Sequence, residues 1–261
     1  MVELEPEAFH TVASLFAGID HSVALVYGVI QGHSPGRVFV NRRDDPTVAL
    51  LVSHVGYSYV GGRPDDKCFG DALPLLFFDD VLPRMTVQEL ILFCFSDAWR
   101  KQLDALLCPL GAIVIHRKVF RFDPARFAVQ DGWRVRIPEG FEMREIDVAL
   151  AERYPVYQPL VDAQSKRFGV CLLHGDKVMS ACTAVSVGGG QAEVDVHTEE
   201  AYRRRGYGYL TACAFIEQCL ARGLTPNWAC WPYREASKAL AEKLGFEARP
   251  DVPAHYWAET M

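Results

Sequence analysis

Residues 201–220, AYRRRGYGYLTACAFIEQCL, set Arg203, Arg204 and Arg205 and two glycines, Gly206 and Gly208, directly before a run with helical periodicity. A helix start already carries partial positive charge from its aligned peptide dipoles. Added cations there are unfavourable unless an anion neutralises both. Glycines in such a turn leave backbone N–H groups converging on one point, and phosphate is the usual anion bound there. Charge-assisted contacts from the arginines then outweigh their conflict with the dipole, and Arg203 is the one expected to point inward. Spacing restricts the ligand. A dinucleotide GxGxxG would need glycine at the position of Thr211, and no GxxxxGK[ST] loop is present.

A second group of reactive side chains lies just upstream, in QAEVDVHT (191–198). Period-two alternation puts Glu193, Asp195 and His197 on one strand face and Val194 and Val196 on the other. Three ionisable groups on one face are costly unless that face lines a wet cleft. Otherwise they satisfy one another, or a bulge reverses the parity. The aromatic residues Trp228, Trp231 and Tyr233 read as core packing or as the wall of a substrate site. His54, His116 and His174 stand singly near turns or in strands and read as packed or solvated.

The elements that must position these residues alternate between strand and helix periodicity, the mark of a mixed α/β chain. In the first half, 6–18 reads as a helix and 37–52 as two strands joined by a polar turn ending at Pro46. A helical stretch near 70–83, the strand ELILFCF, a helix capped by Ser96 and the strand AIVIHRKVFRF follow. Residues 123–138 lack clear periodicity and read as the connection between an N-terminal domain, 1–132, and a second domain, 133–261. In the latter, FEMREI reads as a strand, DVALAERY as a helix capped by Asp147, and 167–198 as a three-strand meander turning at 174–177 and 188–190. The helix 206–222 stops at Gly223, NWACW is a short strand, REASKALAEKL is a helix closed by Gly245, and a final apolar segment lies near HYWAET.

Composition bounds the function classes. Of 261 residues, 50% are hydrophobic and 23% charged, which excludes disorder as the main theme. A net charge of −6 argues against nucleic acid as a partner. No apolar run approaches the roughly 20 residues that cross a bilayer, and the acidic MVELEPEAFH lacks a signal-peptide pattern. A cytoplasmic protein without a membrane partner is expected. The eight cysteines are scattered singly with no CxxC pair, so they read as buried small hydrophobes, and no metal is expected.

The run Arg203, Arg204, Arg205, Gly206, Tyr207, Gly208 resembles the pyrophosphate-binding motif [RQ]xxGx[GA] of the GCN5-related N-acetyltransferase (GNAT) superfamily, and SKALAEKLGF (237–246) resembles its second signature. Order, spacing and element types agree over roughly residues 135–261. More narrowly, FGVCLLHGDKVMSAC and EVDVHTEEAYRRRGYG resemble the zwittermicin-resistance-like branch, whose members carry an extra N-terminal half that looks like a degenerate copy of the same fold. The expected fold is therefore α/β with a mixed sheet: a GNAT fold in the C-terminal half and an N-terminal α/β domain of that degenerate kind.

The resemblance implies acetyl-CoA as co-substrate and direct transfer to the primary amine of a small molecule within a ternary complex, without an acyl-enzyme. It places the pyrophosphate on residues 204–208, helped by Arg203 and by Thr211, and the pantetheine arm on the strand edge at Val196 and Thr198. A backbone N–H there also stabilises the charge growing on the acyl oxygen. Glu193 is expected to take the proton of the amine, directly or through water, with Asp195 and His197 as alternatives. One departure stands out: many members carry a tyrosine acid where this chain has Ala241. Ser237, Tyr233 or Tyr256 then replaces it, or the thiolate leaves unaided, since a thiol pKa near 8.5 makes it a tolerable leaving group. A catalytically silent CoA-binding protein, an acyltransferase using longer acyl-CoA, and one acting on protein amines are the other readings, with a monomer or homodimer in each.

Overall fold

The computed structural model describes residues 1–85, 88–128, 132–163 and 165–259. It divides into two compact units, Met1–Arg117 with Asp251–Met261, and Lys118–Pro250. The division expected at 132/133 falls inside the second unit, and the last strand belongs to the first.

The first unit opens with β1 (Val2–Glu3), a 3-10 helix over Pro6–Phe16 and α1 (Val23–Ile30). Then come β2 (Gly36–Val40), β3 (Val48–Ser53), β4 (Tyr57–Gly62), α2 (Lys67–Leu76), β5 (Glu89–Cys94), α3 (Asp97–Leu107) and β6 (Ile113–Phe122), within which the chain passes to the second unit. There α4 (Pro124–Ala128), β7 (Phe141–Glu145), α5 (Val148–Arg153) and α6 (Gln158–Val161) lead to β8 (Gly169–His174), β9 (Lys177–Gly188) and β10 (Gln191–Thr198). They are followed by α7 (Tyr207–Ala221), β11 (Thr225–Cys230), α8 (Glu235–Lys243) and β12 (Phe246–Ala248), before β13 (Val252–Ala258) closes the first unit.

Most elements follow from local signals. The Ser96 hydroxyl accepts from Trp99 N at 3.2 Å and the Asp147 carboxylate from Leu150 N at 2.9 Å, which fixes the starts of α3 and α5. Gly223 and Gly245 take φ of +68° and +92° past the ends of α7 and α8, where a side chain would be strained. The stretch 6–18 differs from expectation by being a 3-10 helix; its buried Phe9 and Val12 lie three residues apart, the 3-10 repeat. The elements β1, α1, β4, α6 and β12 lie outside the strands and helices that the sequence pattern marks. The connection 123–138 carries the short α4 and a 3-10 turn over Trp133–Arg136, with residues 129–131 outside the described ones. Thr260 of the final apolar segment also lies outside them.

Pairing in the first unit runs antiparallel from β1 through β2 and β3 to β4, then parallel from β4 to β5, with β13 antiparallel to both β5 and β6. Phe69 and Leu73 of α2 and Trp99 and Leu103 of α3 bury against Leu50 and Leu92 of the sheet. In the second unit β7, β8, β9 and β10 are antiparallel neighbours, β10 and β11 are parallel, and β11 and β12 pair with β6. Strand β8 displays the period-two rule. Val170 and Leu172 pack into the core with Phe215 and Ile216 of α7, while Cys171 and Leu173 enter the core with Leu150 of α5. The second sheet therefore carries helices on both faces. Among the described residues no helix is long and apolar enough to cross a membrane. All eight cysteines are free: six are buried, as expected, and Cys68 and Cys108 are exposed.

Candidate active site

The site is built where β10 and β11 part. Their parallel register runs from Gln191↔Thr225 through Ala192↔Pro226 to Glu193↔Asn227 and stops there, so residues 194–198 of β10 face an unpaired edge. On the other side β10 stays paired with β9 down to Thr198↔Ser180. The Glu199 amide donates to Met179 O at 3.1 Å, so by alternation the backbone groups of His197 and Asp195 also point to β9, and those of Val196 and Thr198 point to the open edge. The Thr198 carbonyl is already engaged, because Arg203 Nε donates to it at 3.1 Å. Arg203, expected to point inward to an anion, instead ties the turn to the strand.

A bulge does lie in this ladder, between Glu193 and Val194, but the extra residue sits on β9 and the parity of β10 survives. Val194 and Val196 pack toward the α7 core, while Glu193, Asp195 and His197 share the opposite face. Glu193 is 4% exposed and its carboxylate accepts from Asn227 Nδ2, its register partner on β11. Asp195 is accessible yet set in the notch left by the parting strands. Desolvation there raises its pKa, against the opposing influence of His197 and of the Val196 backbone. His197 is exposed, its Nε2 3.7 Å from a Glu199 carboxylate oxygen. Tyr157, from the turn before α6, packs against the cluster around Leu150 and Cys171, and burial pushes its pKa up to about 12.

After Thr198 the chain makes a 3-10 turn over Glu200–Tyr202 and enters α7 through Gly206, whose φ is +84°. A Cβ on Gly206 would meet nothing within 4 Å, so the cap opens outward. Among the described residues no acceptor faces the backbone N–H of Arg205, Gly206, Tyr207 or Gly208; the first bonds of the helix run from Tyr209 N and Leu210 N to Gly206 O. No acidic residue lies in the first turn. Arg204 takes a positive φ of 63°, and the Arg205 guanidinium sits 5.4 Å from the Tyr202 ring centroid. At Gly208 a Cβ would come 3.2 Å from Thr198 Oγ1 and 3.4 Å from Val196 Cγ1, so glycine lets the helix start approach the strand edge. Tyr207 is buried against Phe141, ring centroids 5.1 Å apart.

Thr211 does not face the cradle as expected. It is fully buried, and its hydroxyl is shared by Tyr207 O, Gly208 O and Ser180 Oγ, each at 3.2 Å. Ser180 Oγ is in turn 2.9 Å from Thr198 Oγ1, so Thr211 and Ser180 knit α7 to β10 from inside. On α8, Ala241 is fully buried and presents nothing to a ligand. Ser237 Oγ accepts from Trp228 Nε1 at 3.1 Å, which leaves its own proton to be donated. Tyr233 is 71% exposed, whereas Tyr256 lies in the first unit and donates to Glu89 at 3.3 Å. Trp228 belongs to the core cluster of the second unit, the packing role expected of it. Sequence reading passed over Asn227 and Ser180. Asn227 was findable as a polar residue on a short apolar strand; Ser180 left no such signal.

The profile of a family described as GNAT acetyltransferase matches residues 13–254. An uncharacterized N-acetyltransferase of Bacillus subtilis strain 168, YdfB, is 27% identical over 266 residues, 97% of each chain. Among solved structures, a GCN5-related N-acetyltransferase-like protein of Streptococcus suis 89/1591 is similar with a TM-score of 0.67 at 24% identity, over 96% of this chain and 98% of that one. A tandem GNAT protein from the clavulanic acid biosynthesis pathway is similar with a TM-score of 0.61 at 13% identity, over 98% of this chain and 97% of that one. These last two likenesses establish a shared fold over the whole length.

Proposed function

Because this chain belongs to the GNAT acetyltransferase family, we propose that it transfers an acetyl group from acetyl-CoA to the primary amine of a small cationic molecule, by direct attack in a ternary complex. The observation that carries this reading is the parting of β10 and β11 after Glu193 beside a helix start where, among the described residues, the N–H groups of Arg205–Gly208 meet no acceptor. Acetyl-CoA supplies the acetyl group as a thioester, already activated toward an amine. The residues fit it: the N–H groups of Arg205–Gly208 hold the pyrophosphate, with Arg204 and Arg205 adding charge. Gly208 allows the close approach, and the Val196 backbone and Thr198 N–H take the pantetheine arm as an added strand. The Val196 N–H donates to the acyl oxygen, where negative charge grows during attack.

On the acidic face Asp195, the accessible carboxylate, receives the ammonium form of the acceptor. Glu193, oriented by Asn227 and shielded from bulk water, takes the proton through a bridging water. Ser237, positioned by Trp228, returns a proton to the departing sulfur. Within the family we place the chain in the zwittermicin-resistance-like branch, with an antibiotic or amino-acid derivative as acceptor, on the strength of residues 168–182 and 193–208. We read the first unit as a degenerate copy of the GNAT fold. Its order of three antiparallel strands, a helix and a parallel strand repeats that of the second unit.

Titration calorimetry with acetyl-CoA and with CoA, on the wild type and on Gly206→Trp, tests donor binding. Binding lost in the variant supports the cradle, and a folded wild type that binds neither ligand refutes the reading. Glu193→Gln is expected to lower kcat about 10²–10⁴-fold with little change in KM, whereas Asp195→Asn acts mainly on KM. Ser237→Ala stays within about threefold because a thiolate leaves readily. The buried Ala241 favours a second reading, a silent CoA-binding protein. Donor binding without free-thiol release across an amine screen would select it.

A further inference from the structure

In the first unit the side chains of Asp104, Cys108 and His255 bring an oxygen, a sulfur and a nitrogen donor within 4.8 Å of one another. Asp104 lies in α3 and Cys108 caps its end, with the Cys108 N–H bonded to Asp104 O, so helical geometry persists between them. Residues four apart on a helix share one face. His255 comes from β13, 151 residues away, and its Nε2 is 2.8 Å from Asp104 Oδ1. The imidazole is held almost wholly inside, 3% exposed, whereas the Asp104 side chain is 47% exposed and Cys108 reaches the surface. The set therefore has a rigid buried ligand at its floor and two adjustable ones at its rim.

We propose that these three residues form a binding site for a divalent ion of the zinc type. A mixed set of imidazole, thiolate and carboxylate matches the borderline softness of Zn(II), which such sites bind tetrahedrally with a fourth position for water. Bonds of about 2.0–2.3 Å require donors roughly 3.3–3.7 Å apart. The His255–Asp104 pair is already closer than that, and a rotamer change of the exposed Cys108 brings its sulfur in without repacking the core. On binding, the Cys108 thiol gives its proton to buffer, and His255, whose Nε2–H donates to the Asp104 carboxylate in the free site, passes that proton through solvent to Nδ1, so that Nε2 presents its lone pair to the metal. Three ligands from α3 and β13 cross-link the last strand of the chain to a helix formed some 150 residues earlier. The ion is thus a staple for the first unit and takes no part in acyl transfer.

Cobalt(II) added to the full-length chain is the test, because thiolate bound to Co(II) gives a sulfur-to-metal charge-transfer band in the near ultraviolet. The band is expected in the wild type and in Cys68→Ser, which removes the other exposed thiol. It is expected to vanish in Cys108→Ser, whose fold is checked by circular dichroism. Asp104→Asn keeps an acceptor for His255 and is expected to weaken Co(II) binding about tenfold or more. Zn(II) in excess should raise the wild-type Tm by about 5 °C and leave Cys108→Ser unmoved. No band in the wild type, a band surviving in Cys108→Ser or lost in Cys68→Ser, or unchanged affinity in Asp104→Asn overturns the assignment.

Discussion

Helices α2 and α7 occupy the same place in their units: each follows the third of three antiparallel strands and leads to a strand parallel to it. Their entries differ in charge: an aspartate caps α2, whereas three arginines precede the glycine cap of α7. At α2 the Asp66 carboxylate accepts from Phe69 N at 3.0 Å and from Asn41 Nδ2 at 2.8 Å, so the helix start is filled by an anion of its own. Arg63 in the same loop is spent on Asp65, at 2.6 and 3.0 Å. At α7 the cap is Gly206, which offers no side chain, and the neighbouring arginines stay exposed. The parallel strands differ as well. β4 keeps its register with β5 from Tyr57 to Val60, near the end of the strand, whereas β10 leaves β11 after Glu193. One topology yields a helix start filled by its own carboxylate or one left open beside a strand edge, according to which residue caps the helix and how far two strands stay paired.

The comparison breaks most sharply if the cap of α7 is made like that of α2. Gly206→Asp puts a carboxylate into the proposed phosphate cradle and is expected to cost about 10³-fold in acetyl-CoA affinity by calorimetry, the several kcal/mol of like charges brought together. An unchanged affinity would mean that the anion binds elsewhere.

The two units should also answer acid differently. Burial holds the His21 pKa down to about 4, against the pull of Asp20 and with a smaller push from Arg117. His21 therefore stays neutral in the folded chain while the unfolded chain takes up a proton below about 6.5. Its stabilising contribution is lost as pH falls from 6.5 through 4, about 3 kcal/mol in all. Urea denaturation at pH 7 and pH 4 should show that loss in the wild type and a flatter response in His21→Gln.

Smaller still is the reverse change in the first unit. Asp66→Ala should cost about 1 kcal/mol of stability, as loss of an N-cap does, and leave acetyl-CoA affinity unaltered; weakened donor binding would show that α2 shares in the site. The least effect is expected at Asp195, whose raised pKa makes its ionised form a liability in the fold. That penalty is absent below the ordinary carboxylate range and appears as pH rises through the raised value. Asp195→Asn should accordingly melt higher than the wild type at pH 7 and match it at low pH, opposite in sign to the effect at His21.

Much of this was legible in the chain itself. Helix starts at Ser96 and Asp147, stops at Gly223 and Gly245, and the meander of the second unit are set by side chains within a few residues of the backbone they act on. The glycine turn before α7 is local in the same sense, and so is the shared face of Glu193, Asp195 and His197, because alternation along a strand needs no partner. The roles of single residues were less legible. Thr211 and Arg203 carry the right chemistry for an anion, yet one is consumed by Ser180 and two carbonyls and the other by Thr198 O.

The sequence by itself determined most of the elements, the apolar faces they bury and the composition of the helix start, since each depends on periodicity and neighbouring caps. Tertiary structure decided where β10 and β11 part and that Asn227 meets Glu193. It also decided that β13 returns to the first unit, bringing His255 to Asp104. These pairings join residues 34 and 151 positions apart. No local propensity encodes them; they are fixed only when whole faces compete for burial and the sheet settles its order.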